Sequence, residues 1–532
     1  MKKRKPPSHI FKLFIVYNNT DFLLSVDKTV HIKNNLISDF NKHLILHHKS
    51  FTEPFNVSHF LDIVKDNTNV PFWNDKIRKK SQGLFLPHKH TMEIEDNNFT
   101  KKTWFKFEFY KEKMPCFHLE ELNHYPKNDI TEITKSKNIK LYLTPEQSKI
   151  LKQFIGAYRY FYNRTINVLN NYNKNIRETH YTIKENETNK DINISVSIDK
   201  NVYNFYYLRS ILKENIPTWV TDIKFQSHLI DLAINEAVIK VTTNMNKKRK
   251  FIMKMKTKKD LKQTINLEKT MITDKGFFSG LKLNGSYIFR DVKMSENISK
   301  LNYGGSTITY HRILNTFTMN LTYKTISVKN TSNKICSIDP GIRDFMVLFS
   351  DTKVCKIGVE STDKLYKKCR EVDKIDSKMN SKEYYVNEKK YIVNSKRKRQ
   401  LNEAKHRKIT EIKNMKKELH DQTINYICKN YSKVIIPPFE IQEIASKLQS
   451  KTARCMYTLS FNEFKEKLKN KGKERNCEII IKPEYYTSKT CTRCGNIKKD
   501  LKMTDKIYSC KKCGLEIDRN YAGARNIMLR NN

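Results

Sequence analysis

Apolar residues first form a regular pattern near residue 138. The run IKLYL, residues 139–143, alternates apolar and polar positions and predicts a β-strand. Thr144 followed by Pro145 predicts a helix N-cap with proline at the first helical position. Further apolar residues recur at helical spacing, and we expect this stripe to pack in a core: Leu151, Phe154, Ile155, Tyr158 and Tyr162.

A second helical pattern covers residues 219–248. Its apolar residues cluster towards one face: Ile230, Leu232, Ala233, Ala237 and Val238. From about residue 266 to 330 the chain changes to short runs rich in Thr, Tyr, Ile and Phe, separated by Gly, Asn and Ser. This composition predicts a small β-barrel or sheet. Residues 1–135 mix short apolar runs with Asn and His and predict no clear architecture.

The last two hundred residues change pattern again. Three short apolar runs with tight turns begin at KICSIDPG, residues 334–341, and predict a β-meander. A long polar region over 361–430 is predicted to be helical. Four elements are predicted after it: a strand in KVIIPPFE (433–440), an amphipathic helix in ARCMYTLSFNEFKEKLKNK (453–471), a strand in CEIIIKPE (477–484) and a terminal helix in NYAGARNIMLR (520–530).

Charge is the strongest feature of the composition. The 532 residues include 101 Lys and Arg against 56 Asp and Glu, which gives a net charge of +45. Such a surplus favours a polyanionic partner, and nucleic acid fits because phosphate contacts release counterions. An AT-rich genome would also raise Lys, Asn and Ile, but it does not by itself leave 45 charges uncompensated. At about 150 residues per domain, the length suggests three or four domains.

The sequence favours an intracellular, reducing location. No secretory signal opens the chain, and no segment approaches the roughly 18–20 apolar residues of a membrane span, so no membrane partner is expected. Basic runs at 2–5 and 247–250 fit nuclear import or an ordinary solvated surface. Seven cysteines are scattered and four are clustered, which favours a metal in the cluster over disulfides.

The cysteine cluster near the C-terminus has the spacing of a zinc ribbon. Cys491 and Cys494 form one CxxC pair, Cys510 and Cys513 form another, and fifteen residues separate them. Glycine follows each pair, where the backbone must turn beneath a metal ion. Four thiolates close the coordination shell, so the predicted Zn²⁺ is structural and leaves no open catalytic position.

Carboxylates stand at the ends of several predicted strands. Asp339 ends the apolar run ICSI, although Asp-Pro-Gly is also a common turn. Asp518 opens the last helix, where a plain N-cap is the alternative. Glu440 and Glu484 end two later strands. If three such groups converge they would bind two Mg²⁺ ions, which suits in-line cleavage of a phosphodiester.

Several basic side chains are candidates for contacts with nucleic acid. Some lie off the apolar stripe of the first helix, some lie in the basic run SKRKRQ, and one follows Asp518. For the basic run, a solvated helix face is the alternative. The candidates are Arg159, Arg164, Lys396, Arg397, Arg399 and Arg519.

Several of these segments together resemble a known family. ICSIDPGIRDFMVLFS, ELHDQTINYICKNYSKVIIPPFE, YTSKTCTRCG and YSCKKCGLEIDRNYAGARNIM are similar to the RuvC-like nuclease core and zinc ribbon of the transposon-encoded TnpB proteins. Their eukaryotic and giant-virus relatives, the Fanzor proteins, match more closely. LTPEQSKILKQFIGAYRYFYN resembles the helical region that opens the shared part of TnpB. The resemblance covers about residues 138–530 and is strongest from 335 onwards.

The resemblance implies a multidomain α/β fold. The implied fold would contain an RNase H-like (RuvC) nuclease core with an inserted zinc ribbon, a β-barrel wedge domain and a helical recognition lobe. The implied boundaries are 1–135 for a variable N-terminal region, with a place in the wedge as the alternative, 136–265 for the helical lobe, 266–330 for a wedge segment, 331–485 for the nuclease core, 486–516 for the zinc ribbon and 517–532 for the final nuclease segment. The strand at 138–143 is assigned to the barrel.

The resemblance also implies a catalytic set of Asp, Glu and Asp. By position, Asp339 matches the first Asp and Asp518 the last. TnpB usually places the Glu straight after its strand, where this chain has Pro437, with Glu440 three residues later. Fanzors and some TnpBs use a displaced Glu before the YTS-C motif, so Glu484 is preferred and Glu440 is the alternative.

The implied function is an RNA-guided, Mg²⁺-dependent DNA endonuclease with two Mg²⁺ and one structural Zn²⁺. Its partners would be a guide RNA encoded next to the gene and double-stranded target DNA with a short adjacent motif. A guided DNA binder or repressor with weak or lost cleavage, and an unguided zinc-ribbon transposition accessory protein, are the alternatives. The Fanzor resemblance favours the nucleus, or the host nucleus for a virus, with the cytoplasm as the alternative.

Overall fold

A computed structural model describes most of the chain from residue 103 onwards, and four strands before it. The described residues after 103 run over 103–112 and 124–531. The second range has short gaps at 177, 185–190, 199, 246–251, 274–275, 279, 284, 299–302, 342, 351–352, 387–388, 439–449 and 502–504. None of the helices in these ranges is both long and apolar enough to cross a membrane.

The helices and strands are numbered here in chain order. The strands are β1 (Lys12–Tyr17), β2 (Thr20–Ser25), β3 (Ile45–His48), β4 (Met92–Glu95), β5 (Lys106–Glu112), β6 (Glu132–Tyr142), β7 (Glu178–Lys184), β8 (Asp191–Ser197), β9 (Lys262–Leu267), β10 (Ile272–Thr273), β11 (Gly276–Phe277), β12 (Lys282–Leu283), β13 (Ser286–Tyr287), β14 (Lys293–Met294), β15 (Tyr303–His311), β16 (Thr316–Ile326), β17 (Ile335–Pro340), β18 (Met346–Ser350), β19 (Lys353–Val359), β20 (Glu383–Val386), β21 (Lys389–Ile392), β22 (Lys433–Ile436), β23 (Glu478–Ile481), β24 (Ile507–Ser509) and β25 (Glu516–Asp518). The α-helices are α1 (Pro145–Asn173), α2 (Phe205–Glu214), α3 (Thr218–Asp222), α4 (Ser227–Met245), α5 (Ser361–Asn380), α6 (Ser395–Asn430), α7 (Ser450–Leu459), α8 (Phe461–Glu474) and α9 (Arg519–Asn531).

The chain forms two compact units. The first comprises Met1–Asp129, Val328–Glu371 and Glu411–Asn532. The second comprises Ile130–Ser327 and Val372–Thr410. Each unit therefore combines segments that are distant in sequence.

A seven-stranded mixed sheet organises the first unit, in the order β23-β22-β17-β18-β19-β5-β4. The predicted meander is present, because β17, β18 and β19 pair as antiparallel neighbours. Strand β22 lies parallel to β17, and β23 lies parallel to β22. Strands β5 and β4 extend the sheet on the other side. The central strands β17 and β18 are mostly buried, as expected when helices cover both faces of a sheet.

The two faces of this sheet bury different sets of residues, because successive side chains in a strand point to opposite sides. Cys336 and Ile338 join a core with residues of α6, α7 and α8. Ile335 and Val347 join a second core with residues of α9 and the cysteine cluster. Asp339 is paired directly with Val347, so its side chain lies on the α9 face.

The second unit packs helices against a five-stranded antiparallel sheet with the order β14-β6-β16-β15-β9. Helix α1 begins as predicted, with Thr144 and Gln147 forming a reciprocal capping box. The whole predicted stripe of α1, from Leu151 to Tyr162, is buried in one core, together with Ile230 and Ala233 of α4. Leu232 of α4 is partly exposed at the edge of that core.

Two predicted helices are interrupted. A β-hairpin of β20 and β21 separates α5 from α6 within the polar region 361–430. The amphipathic segment 453–471 is divided between α7 and α8 at Ser460, which has a left-handed φ of 52°. The Ser460 hydroxyl donates to the carbonyl of Tyr457, an alternative to continuing the helix that serine side chains readily offer.

His420 of α6 is a neutral histidine inside the first unit. Its ring stacks on Phe345 and meets the edge of Phe464, with ring centroids 5.5 and 5.4 Å apart. Its Nε2 lies 2.8 Å from the carbonyl oxygen of Leu459 and donates to it in the neutral tautomer. Burial lowers the pKa of His420 from 6.5 to about 4, because an imidazolium would lose its hydration.

We expect acid to destabilise the protein through His420. A lowered folded pKa means that its contribution to stability is complete above about pH 6.5 and is lost as the pH falls towards 4. The full loss amounts to about 3 kcal/mol. His420→Gln keeps a donor for Leu459 and does not titrate, so urea unfolding at pH 7, 5.5 and 4.5 should show a flatter pH dependence for this variant. Parallel pH profiles would contradict the assignment.

Candidate active site and metal centre

The structure gathers the four clustered cysteines at one point. The ligand atoms of Cys491, Cys494, Cys510 and Cys513 all lie within 4.8 Å of one another. The sulfur of Cys491 is 3.5 Å from that of Cys513, and the sulfur of Cys494 is 3.6 Å from that of Cys510. Zn–S bonds of about 2.3 Å in a tetrahedron separate sulfurs by about 3.8 Å, so the donor set fits Zn²⁺.

The backbone around the cluster turns as a CxxC pair requires. Gly495 and Gly514 adopt φ angles of 73° and 68°, which glycine reaches without a steric penalty. Their amides donate to the carbonyls of Cys491 and Cys510. A hydrogen bond from the Cys491 thiol lowers the pKa of Cys494 to about 5, which favours a thiolate at Cys494.

Helix α9 fastens the segment before the cluster to the sheet. The fully buried Asn526 donates to the carbonyls of Thr487 and Thr490 at 2.7 and 2.8 Å. The buried Arg525 donates to the carbonyl of Thr492, inside the first CxxC pair, at 2.5 Å. The same helix therefore begins beside Asp518 and holds the turn that follows Glu484.

The structure brings Asp339, Glu484 and Asp518 into one neighbourhood. Burial raises the pKa of Asp339 well above its usual range, and the nearby carboxylates of Glu484 and Asp518 raise it further. Arg519 opposes this rise. Burial also raises the pKa of Glu484 to about 6. Such a group of partly desolvated carboxylates favours the binding of protons or metal cations.

Both carboxylate oxygens of Asp518 have protein partners. Oδ1 accepts hydrogen bonds from the amides of Asn520 and Tyr521 at 2.9 and 3.1 Å, the helix-capping role considered for this residue. Oδ2 accepts a hydrogen bond from Nζ of Lys356 at 2.8 Å. The Asp518 side chain can therefore cap α9 and face the other carboxylates at the same time.

Lys356 is a feature of the site that the sequence analysis missed. Asp339, Val347, Lys356 and Glu108 are direct partners across β17, β18, β19 and β5. Directly paired residues point to the same face, so a lysine lies in the same row as the candidate carboxylates. Its ammonium also lies 5.5 Å from the ring centroid of Tyr110, whose hydroxyl donates to Glu108 at 2.7 Å.

Strand β5 was also missed, although its pattern was visible. In KFEFYKE, Phe107 and Phe109 are buried while Glu108 and Tyr110 are partly exposed, an alternation typical of a half-buried strand. The segment lies in the N-terminal region, for which the sequence predicted no clear architecture. Local periodicity could not reveal that β5 pairs with β19, which lies more than two hundred residues later in the chain.

Gly523 lets α9 approach β17 closely. A Cβ at this position would collide with the carboxylate oxygen of Asp339 and would lie 3.7 Å from the Ser488 hydroxyl. Beside it, the Ser337 hydroxyl donates to the carbonyl of Ala524 at 2.7 Å. The backbone of α9 therefore forms one wall of the candidate active site.

The remaining candidates lie elsewhere. In the second unit, Arg159 and Arg164 line a cavity of about 1290 Å³ along α1. Arg164 is buried and donates to the carbonyl of Asn215, while Arg159 donates to Gln263. On α6, Lys396 is exposed, Arg397 donates to the Tyr384 hydroxyl and Arg399 pairs with Glu403. Glu440 lies outside the described residues.

Two family models match parts of the chain. One is described as "Cas12f1-like, TNB domain" and matches residues 461–527, the range that holds Glu484, the cysteine cluster and Asp518. The other is described as "Helix-turn-helix domain" and matches residues 133–177, where the structure has β6 and α1.

Curated relatives match most of the chain. TnpB-like protein L770 of Acanthamoeba polyphaga mimivirus is 27% identical over 484 residues, which is 86% of this chain and 87% of the relative. TnpB-like protein L79 of the same virus is 27% identical over 481 residues, 85% and 86% of the two chains. The CRISPR-associated endodeoxyribonuclease Cas12f1 of Sulfoacidibacillus thermotolerans is 30% identical over 79 residues, 15% of this chain and 19% of that protein.

A chain in the solved structure "Cryo-EM structure of the Cas12f1-sgRNA-target DNA complex" matches this protein; the match covers 74% of this chain and 98% of the chain in that structure. Its TM-score is 0.36 at 12% identity. The predicted resemblance to TnpB and its Fanzor relatives is confirmed: the chain is similar to TnpB-like proteins of a giant virus over most of its length, and the two domain models match within the same range.

We expect one Zn²⁺ per chain at the cysteine cluster. Cys494→Ser should lower the bound zinc well below one equivalent, because hydroxyl oxygen is a poor ligand for zinc compared with thiolate. It should also lower the midpoint of thermal unfolding, since structural zinc contributes folding free energy. Elemental analysis of the purified protein measures the first effect, and calorimetry the second. Cys455→Ala, a buried cysteine outside the cluster, should keep full zinc; equal zinc in both variants would contradict the assignment.

Proposed function

We propose that this protein is an RNA-guided DNA endonuclease, encoded by or derived from a transposable element. It would hydrolyse phosphodiester bonds of target DNA in a RuvC-like active site. The observation that carries the proposal is the proximity of Asp339 to Glu484 and Asp518, the two carboxylates that flank the four-cysteine cluster in the chain. Similarity to TnpB-like proteins over most of the chain supports it.

The topology of the first unit supports an RNase H-like core. Three antiparallel strands, β17 to β19, are followed in the chain by β22 and β23, which lie parallel to β17 on its other side. Asp339 stands near the end of the first strand and Glu484 beyond the end of the last. Because β17, β22 and β23 run parallel, these ends lie at one edge of the sheet.

The site fits two Mg²⁺ ions in its donor chemistry, since carboxylate oxygens are the ligands that Mg²⁺ prefers. Asp339, Glu484 and Asp518 would hold the ions, which when bound supply activation of the attacking water and stabilisation of the leaving oxygen. The protein's own groups set the geometry. Helix α9 amides and Lys356 orient Asp518, and the close approach at Gly523 orients Asp339.

The net charge of +45 supports two nucleic-acid partners, a guide RNA and a target DNA. Cas12f1, which matches 79 residues of this chain, is named as a CRISPR-associated endodeoxyribonuclease, and the model described as "Cas12f1-like, TNB domain" matches residues 461–527. The guide is proposed to be encoded next to the gene, and the target to carry a short adjacent motif. Action in a nucleus, the host's in the case of a virus, is part of the same proposal.

Guidance is tested by sequencing the RNA that copurifies with the protein expressed together with its native flanking DNA. We expect one discrete RNA that maps beside the gene and ends in a variable segment. A heterogeneous or absent RNA would contradict guidance and favour unguided DNA binding. The recovered RNA then supplies the guide for cleavage assays on a matching duplex.

Cleavage should depend on the three carboxylates. We expect Asp339→Ala and Glu484→Gln to lower the rate of Mg²⁺-dependent cleavage by more than about 100-fold, because each removes a direct metal ligand. Glu516→Gln is the matched control, an exposed carboxylate on the same strand as Asp518.

Glu440→Gln separates the two candidates for the middle carboxylate. It should cleave like the wild type if Glu484 completes the set. Full cleavage by Glu484→Gln together with loss of cleavage in Glu440→Gln would transfer the role to Glu440. Guide-dependent binding of the target without cleavage in the wild type would instead favour a guided repressor.

A further inference from the structure

A lysine lies among the candidate carboxylates, where a bound metal ion would meet its charge. Nζ of Lys356 is 2.8 Å from Oδ2 of Asp518. The two side chains are 17% and 30% exposed, so solvent and salt screen this pair less than an ion pair on the open surface. A site that binds cations through carboxylates gains no affinity from a fixed positive charge. The position of Lys356 therefore points to a role beyond packing.

Strands β19 and β5 hold Lys356 in this position. Its ammonium lies 5.5 Å from the centroid of the Tyr110 ring, within the range of a cation–π contact. The Tyr110 hydroxyl donates to Glu108 at 2.7 Å, and Glu108 is the direct partner of Lys356 across the two strands. These contacts come from the sheet and fix the lysine from the side away from Asp518.

The hydrogen bonds of Asp518 leave little of its carboxylate open. An ionised carboxylate offers about four acceptor positions, two on each oxygen. Oδ1 accepts from the amides of Asn520 and Tyr521 at 2.9 and 3.1 Å, which fills both of its positions. Oδ2 accepts from Lys356 and keeps one position. A metal ion bound to Asp518 would therefore share Oδ2 with an ammonium group.

Lys356 also offsets part of the negative charge that would attract cations. Asp339, Glu484 and Asp518 carry three negative charges when all are ionised, and Lys356 returns one positive charge to the same neighbourhood. Repulsion between an ammonium and a divalent ion that share one carboxylate is strong at such short range. The lysine thus orients a candidate metal ligand and opposes the binding of metal to it.

We propose that Lys356 is a positioning residue that fixes the orientation of Asp518 and weakens the binding of divalent cations at this site. The proposal rests on the proposed function and adds the residue that sets how much metal the site requires. Lys356 would act through Asp518 and would not contact the scissile phosphodiester.

Binding of Mn²⁺ tests the proposal without cleavage. The full-length protein is purified free of RNA and titrated with Mn²⁺, which accepts the same oxygen ligands as Mg²⁺ and whose free concentration is measured by electron paramagnetic resonance. We expect Lys356→Met to bind Mn²⁺ at least about tenfold more tightly than the wild type, since removing a unit charge beside a divalent ion has that effect even at the dielectric constant of water. Adding Asp339→Ala to each protein gives the background from Mn²⁺ bound elsewhere.

Two further variants separate the charge of Lys356 from its hydrogen bond. Lys356→Gln keeps a donor for Asp518 without the charge, so it should bind Mn²⁺ more tightly, as Lys356→Met does. Lys356→Arg keeps the charge and should bind like the wild type. A merely structural role predicts the opposite sign, because an Asp518 side chain that has lost its orientation would bind Mn²⁺ more weakly.

Lys416→Met is the matched control. Lys416 of α6 has the same 17% side-chain exposure and pairs with Glu463 at 2.5 Å, among residues that pack on the other face of the sheet. This variant removes one charge from the same unit and should bind Mn²⁺ like the wild type.

The proposal is overturned if Lys356→Met and Lys356→Gln bind Mn²⁺ no more tightly than the wild type, or if Lys416→Met gains as much affinity. Guided cleavage is measured separately, and the half-saturating Mg²⁺ concentration should be lower in Lys356→Gln. Tighter Mn²⁺ binding in variants of a protein that never cleaves would keep the role of Lys356 and refute the endonuclease. Cleavage with unchanged Mn²⁺ affinity would do the reverse.

Discussion

Repulsion between carboxylates is the constraint on which the first unit is built. Two unit charges about 4–5 Å apart repel by roughly 3–4 kcal/mol at an effective dielectric constant of about 20. Asp339, Glu484 and Asp518 lie close enough for the latter two to raise the pKa of the first. Burial raises the pKa of Asp344 too, and Asp518 raises it further. The fold holds these groups together because Lys356 compensates part of the charge, and a divalent metal would compensate more.

The cysteine cluster and α9 together hold these carboxylates close to one another. Asp518 caps the helix, Asn526 of the same helix binds the segment between Glu484 and the cluster, and Arg525 binds Thr492 inside the first CxxC pair. A tetrahedral metal would lock the two CxxC turns to each other. Two carboxylates that are distant in sequence thus belong to one packed module, which explains why they flank one cluster of cysteines in the chain.

Local signals in the sequence predicted a large part of this arrangement. The strand ending at Asp339, the cap of α1, the CxxC spacing and the helix after Asp518 each depend on neighbours within about twenty residues. The partnership of Lys356 with Asp518, and of β5 with β19, depends on register between distant strands, which periodicity does not encode. The break at Ser460 was missed because polar spacing continues through it.

The register of β5 connects the hydrophobic core to the chemistry of the site. Phe107 and Phe109 pack against Tyr426, each with ring centroids 5.5 Å apart, on the face that holds α6. A slip of one residue would expose those rings on the charged face and bury Glu108 and Tyr110 in the core. Apolar packing on one side of the sheet therefore dictates which polar groups stand beside Lys356 on the other. The N-terminal region, for which the sequence predicted no architecture, thereby supplies side chains that help to hold Lys356 against Asp518, and so bears on the candidate active site directly.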